Sequence, residues 1–488
     1  MGRLKLWHVI AAWIIGGLGF VLPLMQSVSD PDIWWQLKTG ELIWANKSVP
    51  TTDPFSFTTG GVTWINHEWL SQVIFYKVFA LGGLIGLAVM KAILVCALIA
   101  GIYILVRRYT KHSWAVLAIT LLCALVTWRF WNTRPHIFSF LFLVGLLILL
   151  DKSRQSGKAP WLAIPMFLVW SNLHGGWAFG FVVMGLVLAE SAVSAISKGK
   201  PRNAALMGGV LVCSLLVVLV GPSPVGRLLY PLGYFWGHIP TKLVIEFRSP
   251  NFRSIPLFPY DFLLLLIPVV ILWGRKRMPI ANWVILAVTL VLSLRSVRHV
   301  PLLGLVAAPV LAVQINAILE RWADKGRMRW LLKEPQGWWP VNVILILLIP
   351  VLAFMKAPKD NSEDYMVRWP YPAAACQFLL EEPARGDGKL MNTYDWGGYL
   401  IYKLYPRYKV SIDGRADLHY AHMNASIQDF ELMSPSWAAF VESVDPDVIL
   451  LPANKSSLIE ALGQDPSWLL IYEDPIAVIF AKAESASG

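Results

Sequence analysis

The chain has 488 residues, of which 56% are hydrophobic and only 15% are charged, and its mean hydropathy is +0.55. Soluble domains typically carry about 25% charged residues, so the composition excludes an ordinary soluble protein and predicts a polytopic α-helical membrane protein. The net charge of +11 comes from basic residues between the apolar runs, where they indicate membrane orientation, and no nucleic-acid partner is expected.

The first apolar run, Trp7 to Met25, follows Arg3 and Lys5 and is long for the core of a cleaved signal peptide. We therefore expect an uncleaved first span that starts in the cytoplasm. With this run the sequence predicts about eleven spans, although several are shorter than the roughly 20 residues that a bilayer needs. The further runs are 84–106, 113–128, 137–150, 160–172, 177–197, 204–220, 261–274, 280–294, 300–319 and 340–356.

With an odd number of spans the N-terminus lies inside and the C-terminus outside. Every loop then assigned to the cytoplasm is basic, as the positive-inside rule requires. Counting the apolar segment Trp64–Ala80 as a span would reverse all later loops, so we expect a helix in the outer interface there. The compact loops favour a bacterial or archaeal plasma (inner) membrane. The cytoplasmic basic residues are Arg107, Arg108, Lys111, Lys152, Arg154, Lys158, Lys198, Lys200, Arg202, Arg275, Lys276, Arg277, Arg321, Lys325, Arg327, Arg329 and Lys333.

Two domains are expected: a transmembrane domain, 1–356, with a long first outer loop, 29–83, and an extracytoplasmic C-terminal domain, 357–488. Helical and strand patterns alternate in the second, which predicts an α/β structure. The strands are expected at Lys389–Tyr394, Tyr408–Asp413, Val448–Pro452, Trp468–Glu473 and Ala477–Ala481, the last two as a hairpin. The helices are expected at Ala373–Leu380, Trp396–Tyr405, Gln428–Met433, Trp437–Val444 and Ser456–Leu462.

The first outer loop opens with Asp30-Pro31-Asp32. These residues are ordinary start signals for a helix, expected from Ile33 to about Trp44. They also bring two carboxylates together, which could share one proton or one divalent cation (Mg or Mn), and the two roles are compatible. Further along, Asp53-Pro54 indicates a turn, and His67-Glu68 is a second polar pair at a helix start.

Arginines are scarce on the outer face of membrane proteins, yet pairs of them occur in three outer loops, two with a histidine alongside. Arginine holds phosphate through a bidentate fork, so we expect these loops to converge on an anion, a donor phosphate. The alternatives are unspecific binding of lipid headgroups and pairing with loop carboxylates. The predicted phosphate-binding residues are Arg129, Arg134, His136, Arg248, Arg295, Arg298 and His299, and His174 lies in the remaining outer loop.

A multi-span chain with an acidic Asp-x-Asp after its first span, outer Arg/His loops and an outer C-terminal domain resembles the GT-C glycosyltransferases. The architecture matches over the whole chain, whereas the motif is limited to Asp30 and Asp32. The resemblance implies a first-loop aspartate as base or metal ligand and a sugar donor carried on a polyprenyl phosphate.

In the tail, Asn392–Tyr399 followed by Val410–Arg415 looks like the acceptor-binding WWD-type region of oligosaccharyltransferase catalytic subunits, although the Tyr-Asp-Trp order differs. This likeness suggests an acceptor site; the alternative for Gly397-Gly398 and Asp413-Gly414 is turn chemistry. The residues expected on the acceptor side are His67, Glu68, His174, Asp395, Trp396, Asp413 and Arg415.

The function expected from this pattern is inverting transfer of a sugar from a polyprenyl-phosphate donor to an extracytoplasmic glycan, lipid or protein, with Asp30 or Asp32 as base. Two alternatives remain open. One is oligosaccharyl transfer to protein, and the other is a non-enzymatic transporter or assembly factor for surface polysaccharide.

Overall fold

The computed structural model describes residues 6–26, 28, 30–233, 245–253, 257–324, 339–363, 370–382, 386–419 and 436–483. The predicted helix Gln428–Met433 lies outside these residues. The chain forms two compact units. The membrane unit comprises Met1–Val28, Leu81–Leu228 and Thr241–Met366, and the second unit comprises Ser29–Ala80, Leu229–Pro240 and Val367–Gly488. The first outer loop thus folds together with the tail.

Apolar helices dominate the described residues, as the composition predicts. Seven are long and apolar enough to cross a membrane: Leu6–Met25, Trp69–Arg107, Ser113–Phe130, His136–Ser156, Trp177–Ser197, Pro201–Leu219 and Val297–Ala323. Four apolar helices are shorter and comprise Ala163–Leu173, Phe258–Gly274, Ile280–Arg295 and Val343–Lys356. Each predicted apolar run therefore coincides with a helix, and the number that cross the membrane stays a prediction.

The segment expected as a separate interfacial helix, Trp64–Ala80, is helical from Trp69 onward. This helix is interrupted at Gly83, where φ is 59° and ψ is −147°, outside the helical region, and a second helix continues to Arg107. Before Trp69 the chain is irregular, and the side-chain amides of Asn66 and Gln72 bond to each other at 2.8 and 2.9 Å. The positive φ, which only glycine adopts readily, separates this helix from the apolar run that follows it, and its place in the membrane interface stays a prediction.

Two ionisable side chains within the apolar runs have protein partners. Lys91 is only 2% exposed and donates to the carbonyl oxygen of Gln26 at 3.1 Å. Glu190 pairs with Arg154 at 2.8 Å. Arg154 also bonds to Asn282, so this pairing ties three helices of the membrane unit together.

The tail contains a five-stranded mixed sheet in the order β2-β1-β3-β5-β4. Strands β1, β2 and β3 are parallel, whereas β5 pairs antiparallel with β3 and β4. The α/β prediction and the β4–β5 hairpin are confirmed. The strands are Lys389–Asn392, Lys409–Val410, Val448–Pro452, Trp468–Glu473 and Ala477–Lys482. The helices are Ala373–Glu381, Tyr394–Leu404, Trp437–Val444 and Ser456–Gln464.

The first loop joins this tail structure at two places. Its helix, Asp32–Asn46, packs against the helix Tyr394–Leu404. Its extended segment covers the edge of β2, because the Val410 N–H donates to Phe55 at 3.1 Å and the Phe57 N–H donates to Val410 at 3.0 Å. The edge strand is thereby paired, and the start of the first loop is fixed against the tail.

Candidate active site

The two first-loop aspartates are fixed by the start of their own helix. The Asp32 N–H donates to Asp30 Oδ1 at 3.1 Å, and the Ile33 N–H donates to the Asp30 carbonyl at 3.2 Å. The Trp35 indole N–H donates to Asp32 Oδ1 at 3.2 Å. The predicted helix start is confirmed, and it orients both carboxylates rather than leaving them on a loose loop.

Glycines of the tail approach these aspartates closely. A Cβ at Gly414 would overlap Asp32 Oδ1, and one at Gly398 would lie 2.7 Å from the carbonyl oxygen of Pro31. A Cβ at Gly397 would lie 2.7 Å from the Cα of Asp413. The turn interpretation of the Gly-Gly pair is wrong, since both residues lie inside the helix Tyr394–Leu404. Glycine fits at these two positions because Pro31 and Asp413 approach the helix too closely for a larger residue.

A buried ion network flanks Gly414. Arg415 contacts Asp53 Oδ1 through Nη1 at 2.8 Å and Asp413 Oδ2 through Nη2 at 2.6 Å, and these side chains are at most 1% exposed. His419 Nε2 lies 3.1 Å from Asp413 Oδ2. Burial alone would raise the pKa of Asp413, but Arg415 and His419 outweigh it and hold that pKa well below its usual range.

Asp413 and Arg415 were expected on the acceptor side, and the structure places their side chains inside this network. Their observable effect is to fix Gly414 beside Asp32. Asp53 was missed as a partner. The turn expected at Asp53-Pro54 does form, since Asp53 Oδ1 accepts the Phe55 N–H at 3.0 Å. No local pattern reveals a partner 362 positions away.

Two buried polar groups close to the aspartates were not found from the sequence. Trp34 is fully buried and Tyr371 is 7% exposed. The Trp34 indole N–H lies near the Tyr371 hydroxyl, but neither atom reaches hydrogen-bond geometry with a partner among the described residues. Buried polar atoms of this kind require an explanation such as a ligand or a water.

Tyr371 belongs to an aromatic cluster. Its ring stacks on Tyr399 with the ring centres 4.5 Å apart, and Trp34 packs edge-on against both rings. Burial raises the pKa of Tyr371, the nearby Trp34 indole N–H lowers it, and the charges of Asp30, Asp32 and Asp395 raise it, so that the net shift is upward. The phenol is therefore protonated and can donate a hydrogen bond.

The stretch that looks like an acceptor site divides between surface and core. Asp395 lies on the surface in the first turn of its helix, where partial burial raises the carboxyl pKa against the lowering effect of Lys455. Trp396 is only 4% exposed and packs in the core. Within this stretch, Asp395 is the exposed residue, and Tyr394 and Gly414 are partly exposed.

His67 and Glu68 form a pair ahead of the helix that begins at Trp69. His67 Nε2 lies 3.6 Å from Glu68 Oε1, and the imidazole stacks on Tyr230 with the ring centres 3.9 Å apart. Burial lowers the pKa of His67, but Glu68 outweighs it, so the net shift is upward. His67 and Glu68 thus form a polar pair in the second unit.

In the membrane unit, three arginine-bearing loops meet. Arg134 Nη1 pairs with Glu246 Oε1 at 2.6 Å, the Ser296 hydroxyl donates to the Glu246 carbonyl at 3.0 Å, and the Val297 N–H donates to Arg248 at 3.0 Å. Burial raises the pKa of Glu246, but Arg134 and then Arg298 outweigh it, so the carboxyl pKa is lowered. The loops converge, and Arg134 pairs with a loop carboxylate.

The other basic residues of this region differ in exposure. The side chains of Arg129, Arg248 and Arg295 are exposed, and Arg298 packs over the ring of Phe247 at 5.2 Å. His299 Nδ1 is buried without a partner among the residues that the structure describes. Arg129, Arg248 and Arg295 are therefore the arginines of these loops that present an exposed guanidinium group.

A chain of hydrogen bonds fixes the ring of His174. Its Nδ1 accepts the Gly176 N–H at 3.0 Å and lies 2.7 Å from the Ser139 hydroxyl, which accepts the Trp170 indole N–H at 2.7 Å. Because a backbone N–H only donates, we assign the ring proton of neutral His174 to Nε2. The ring centre lies 6.4 Å from that of His136, whose Nε2 bonds to the Phe130 carbonyl at 2.8 Å.

Arg227 was not singled out from the sequence. It is 1% exposed, donates to the Val218 carbonyl at 2.8 Å and bonds to the side-chain oxygen of Asn172. It thereby fixes the loop that carries His174. Arg227 lies in the long fourth outer loop, where the surrounding sequence does not indicate that its side chain is buried.

The described residues fit a divalent cation only in part. They contain no group of three His, Cys, Asp or Glu side chains that could hold a metal ion. Asp30 and Asp32 alone would supply two carboxylates, and Mg²⁺ accepts such a set when substrate phosphate and water complete its shell. We therefore derive no reaction step through a metal.

Neither a protein-family model nor a curated protein matches the chain. Solved structures do. The oligosaccharyltransferase AglB from Archaeoglobus fulgidus, in complex with an inhibitory peptide and a dolichol-phosphate, is 12% identical with a TM-score of 0.63 over 92% of this chain and 69% of that chain. An oligosaccharyltransferase from the same organism in the apo form has a TM-score of 0.60 over 98% of this chain and 74% of that chain. ArnT from Cupriavidus metallidurans is 14% identical, with a TM-score of 0.51 over 99% of both chains. Likeness at these identities shows a shared fold.

Proposed function

We propose, from the GT-C fold that this chain shares with AglB and ArnT, that the protein is a membrane glycosyltransferase. It takes a sugar from a polyprenyl-phosphate donor and transfers it to an acceptor on the extracytoplasmic side of a plasma (inner) membrane. The observation that carries the proposal is the pair of aspartates, fixed at a helix start beneath Gly414 and beside the buried hydroxyl of Tyr371.

In the proposed reaction, Asp30 or Asp32 takes the proton of an acceptor hydroxyl while the oxygen attacks the anomeric carbon. An aspartate is a weak base, so its contribution depends on orientation. The helix start and the Trp35 indole supply that orientation. We assign Tyr371 the role of a positioning group for the acceptor, because its buried hydroxyl has no hydrogen-bond partner among the described residues and its pKa responds to the charges of both aspartates.

The donor phosphate binds the arginine loops of the membrane unit. A phosphate leaving group needs charge stabilisation more than protonation, and fixed cations supply it. Arg129, Arg248 and Arg295 are the candidates with exposed side chains, whereas Arg134 pairs with Glu246 and Arg298 packs over the ring of Phe247. Attack opposite the leaving phosphate inverts the anomeric configuration.

A second candidate is transfer of an oligosaccharide to protein. AglB, whose fold this chain shares, has been solved with a tethered acceptor peptide containing an NVT sequon. The surface position of Asp395, with Tyr394 partly exposed beside it, leaves this part of the matching stretch accessible to a peptide. An unchanged glycoproteome in a deletion strain would count against this candidate.

The proposal is tested with the purified full chain in nanodiscs. It is offered a panel of hexosyl and pentosyl polyprenyl phosphates with candidate acceptors, and release of polyprenyl phosphate is measured. We expect one donor class to be consumed and the product anomer to be inverted in NMR spectra. EDTA treatment followed by Mg²⁺ or Mn²⁺ decides metal dependence. If folded protein neither binds nor consumes any donor, the proposal is wrong.

A further inference from the structure

A basic patch in the second unit is formed by Trp44, Lys47 and Lys77, here called the Trp44 patch. Trp44 lies near the end of the helix Asp32–Asn46, and its side chain is 44% exposed. The Nζ atoms of Lys47 and Lys77 lie 3.8 and 3.9 Å from the centre of the indole ring. The two ammonium groups reach one ring from different parts of the chain, since Lys47 directly follows the helix Asp32–Asn46 and Lys77 lies on the helix that begins at Trp69.

Neither lysine of the Trp44 patch forms an ion pair with a carboxylate among the described residues. By contrast, Lys38 on the same helix pairs with Glu41 at 3.0 Å. The indole attracts each ammonium group, but two positive charges within about 8 Å of each other also repel, since that distance is comparable to the screening length. An anion in contact with both ammonium groups would be attracted by each of them and would offset their repulsion.

Two features of the Trp44 patch are typical of a membrane surface. Exposed tryptophan is enriched at the depth of lipid headgroups. Lys77 lies on the helix that begins at Trp69 and is interrupted at Gly83, and Leu81, one turn after Lys77, is 87% exposed. An exposed leucine one turn from a lysine is typical of a side chain that reaches from the acyl region to the headgroups.

We propose that the Trp44 patch binds the phosphate of an anionic phospholipid headgroup, with Lys47 and Lys77 donating to its oxygens and Trp44 packing at headgroup depth. The patch is open to the surface, which suits a lipid that exchanges with the bilayer rather than an enclosed substrate. The site does not depend on the proposed transferase activity, because it uses none of the residues assigned to that reaction.

The test uses the purified full chain in detergent and native mass spectrometry, which resolves each bound lipid. Phosphatidylglycerol is titrated against the wild type, the double variant Lys47→Gln/Lys77→Gln, and Lys38→Gln as a matched control on the same helix. Removing two lysines near a headgroup weakens the tightest phosphatidylglycerol binding about tenfold or more. Lys38→Gln is expected to bind like the wild type, and the melting temperature of each variant reports whether it is folded.

Competition identifies the source of the phosphate. Inorganic phosphate and a polyprenyl monophosphate are added separately to the protein saturated with phosphatidylglycerol. We expect neither to displace the lipid at equal concentration. Equal affinity of the double variant and the wild type would overturn the proposal. So would displacement by inorganic phosphate, which indicates a free-anion site, or by polyprenyl monophosphate, which indicates a donor site.

Discussion

At the scale of single residues, the aspartate site combines groups with complementary hydrogen-bonding roles. Asp30 and Asp32 accept, whereas Trp34 and Tyr371 donate and have no partner among the described residues. A carboxylate next to a protonated phenol suits a ligand hydroxyl, which both donates and accepts. Phosphate, which only accepts at neutral pH and is negative, fits the arginine loops instead.

Replacing Tyr371 by Phe separates ligand binding from folding. Removal of a buried hydroxyl without a partner leaves the stability of the apoprotein unchanged or slightly higher. Removal of a hydrogen bond to the acceptor lowers kcat/KM about tenfold. Thermal unfolding and acceptor-dependent kinetics measure the two effects. A large loss of stability with normal kinetics would show that the hydroxyl serves the fold.

At the scale of elements, the helix Asp32–Asn46 packs closely against the tail because the tail carries glycines at the positions of contact. In the helix Tyr394–Leu404, Gly398 lies against Pro31 and Gly397 lies against Asp413. The glycine Gly414, held by the Asp53–Arg415–Asp413 network, lies against Asp32. The elements therefore set the position of the carboxylates more than any single hydrogen bond does.

Gly398→Ala is expected to destabilise the protein by about 1–3 kcal/mol, because the added Cβ meets a backbone oxygen that cannot move freely. Gly463→Ala is the matched control. A Cβ at Gly463, also in a helix of the tail, meets no atom within 4 Å, so stability stays equal or rises by about 0.5–1 kcal/mol. The free energy of unfolding of both variants is measured by chemical denaturation. Equal effects would contradict the packing argument.

Arg415→Met breaks the buried network and leaves two carboxylates without their cation. Removing one partner of a buried ion pair costs about 3–5 kcal/mol, so a pronounced drop in melting temperature is expected. Lys409→Met, on the exposed side of β2, changes stability by less than about 0.5 kcal/mol. A melting temperature near that of the wild type for Arg415→Met would show that the network contributes little.

The local elements of the tail could be predicted well. The alternating pattern and the turn residues predict β3 and the β4–β5 hairpin within one residue of the structure, and the Asp-Pro-Asp start predicts the first-loop helix. The helix expected at Trp396–Tyr405 already contained the Gly-Gly pair, and the structure excludes the alternative turn, since tertiary packing requires small residues there. The partnership of Asp53 with Arg415 and the burial of Tyr371 depend on contacts between distant parts of the chain, which no local pattern encodes.

At the scale of the whole molecule, the chain has long apolar helices and a mixed α/β unit, and it shares the fold of AglB and ArnT. The basic loops predict that the N-terminus lies inside and the tail outside. This orientation determines on which side of the membrane the aspartates and arginines act. It follows from the charge of the loops alone and needs a separate measurement.

Orientation is tested with single cysteines in a background without the four native ones. Arg253→Cys and Lys158→Cys replace exposed residues in loops predicted to lie outside and inside. A membrane-impermeant maleimide is expected to label Arg253→Cys in intact cells and Lys158→Cys only after permeabilisation. The opposite labelling pattern would reverse the orientation and the side on which the acceptor lies.

The central claim is that the first-loop aspartates carry out sugar transfer. Its most direct test is the single-turnover rate of purified Asp30→Asn and Asp32→Asn with the donor found for the wild type. Loss of a general base lowers the rate about 10²- to 10⁴-fold in at least one variant, with donor binding and folding intact. Asp360→Asn, at an exposed carboxylate, should react like the wild type. Wild-type rates for both Asp30→Asn and Asp32→Asn would contradict the account.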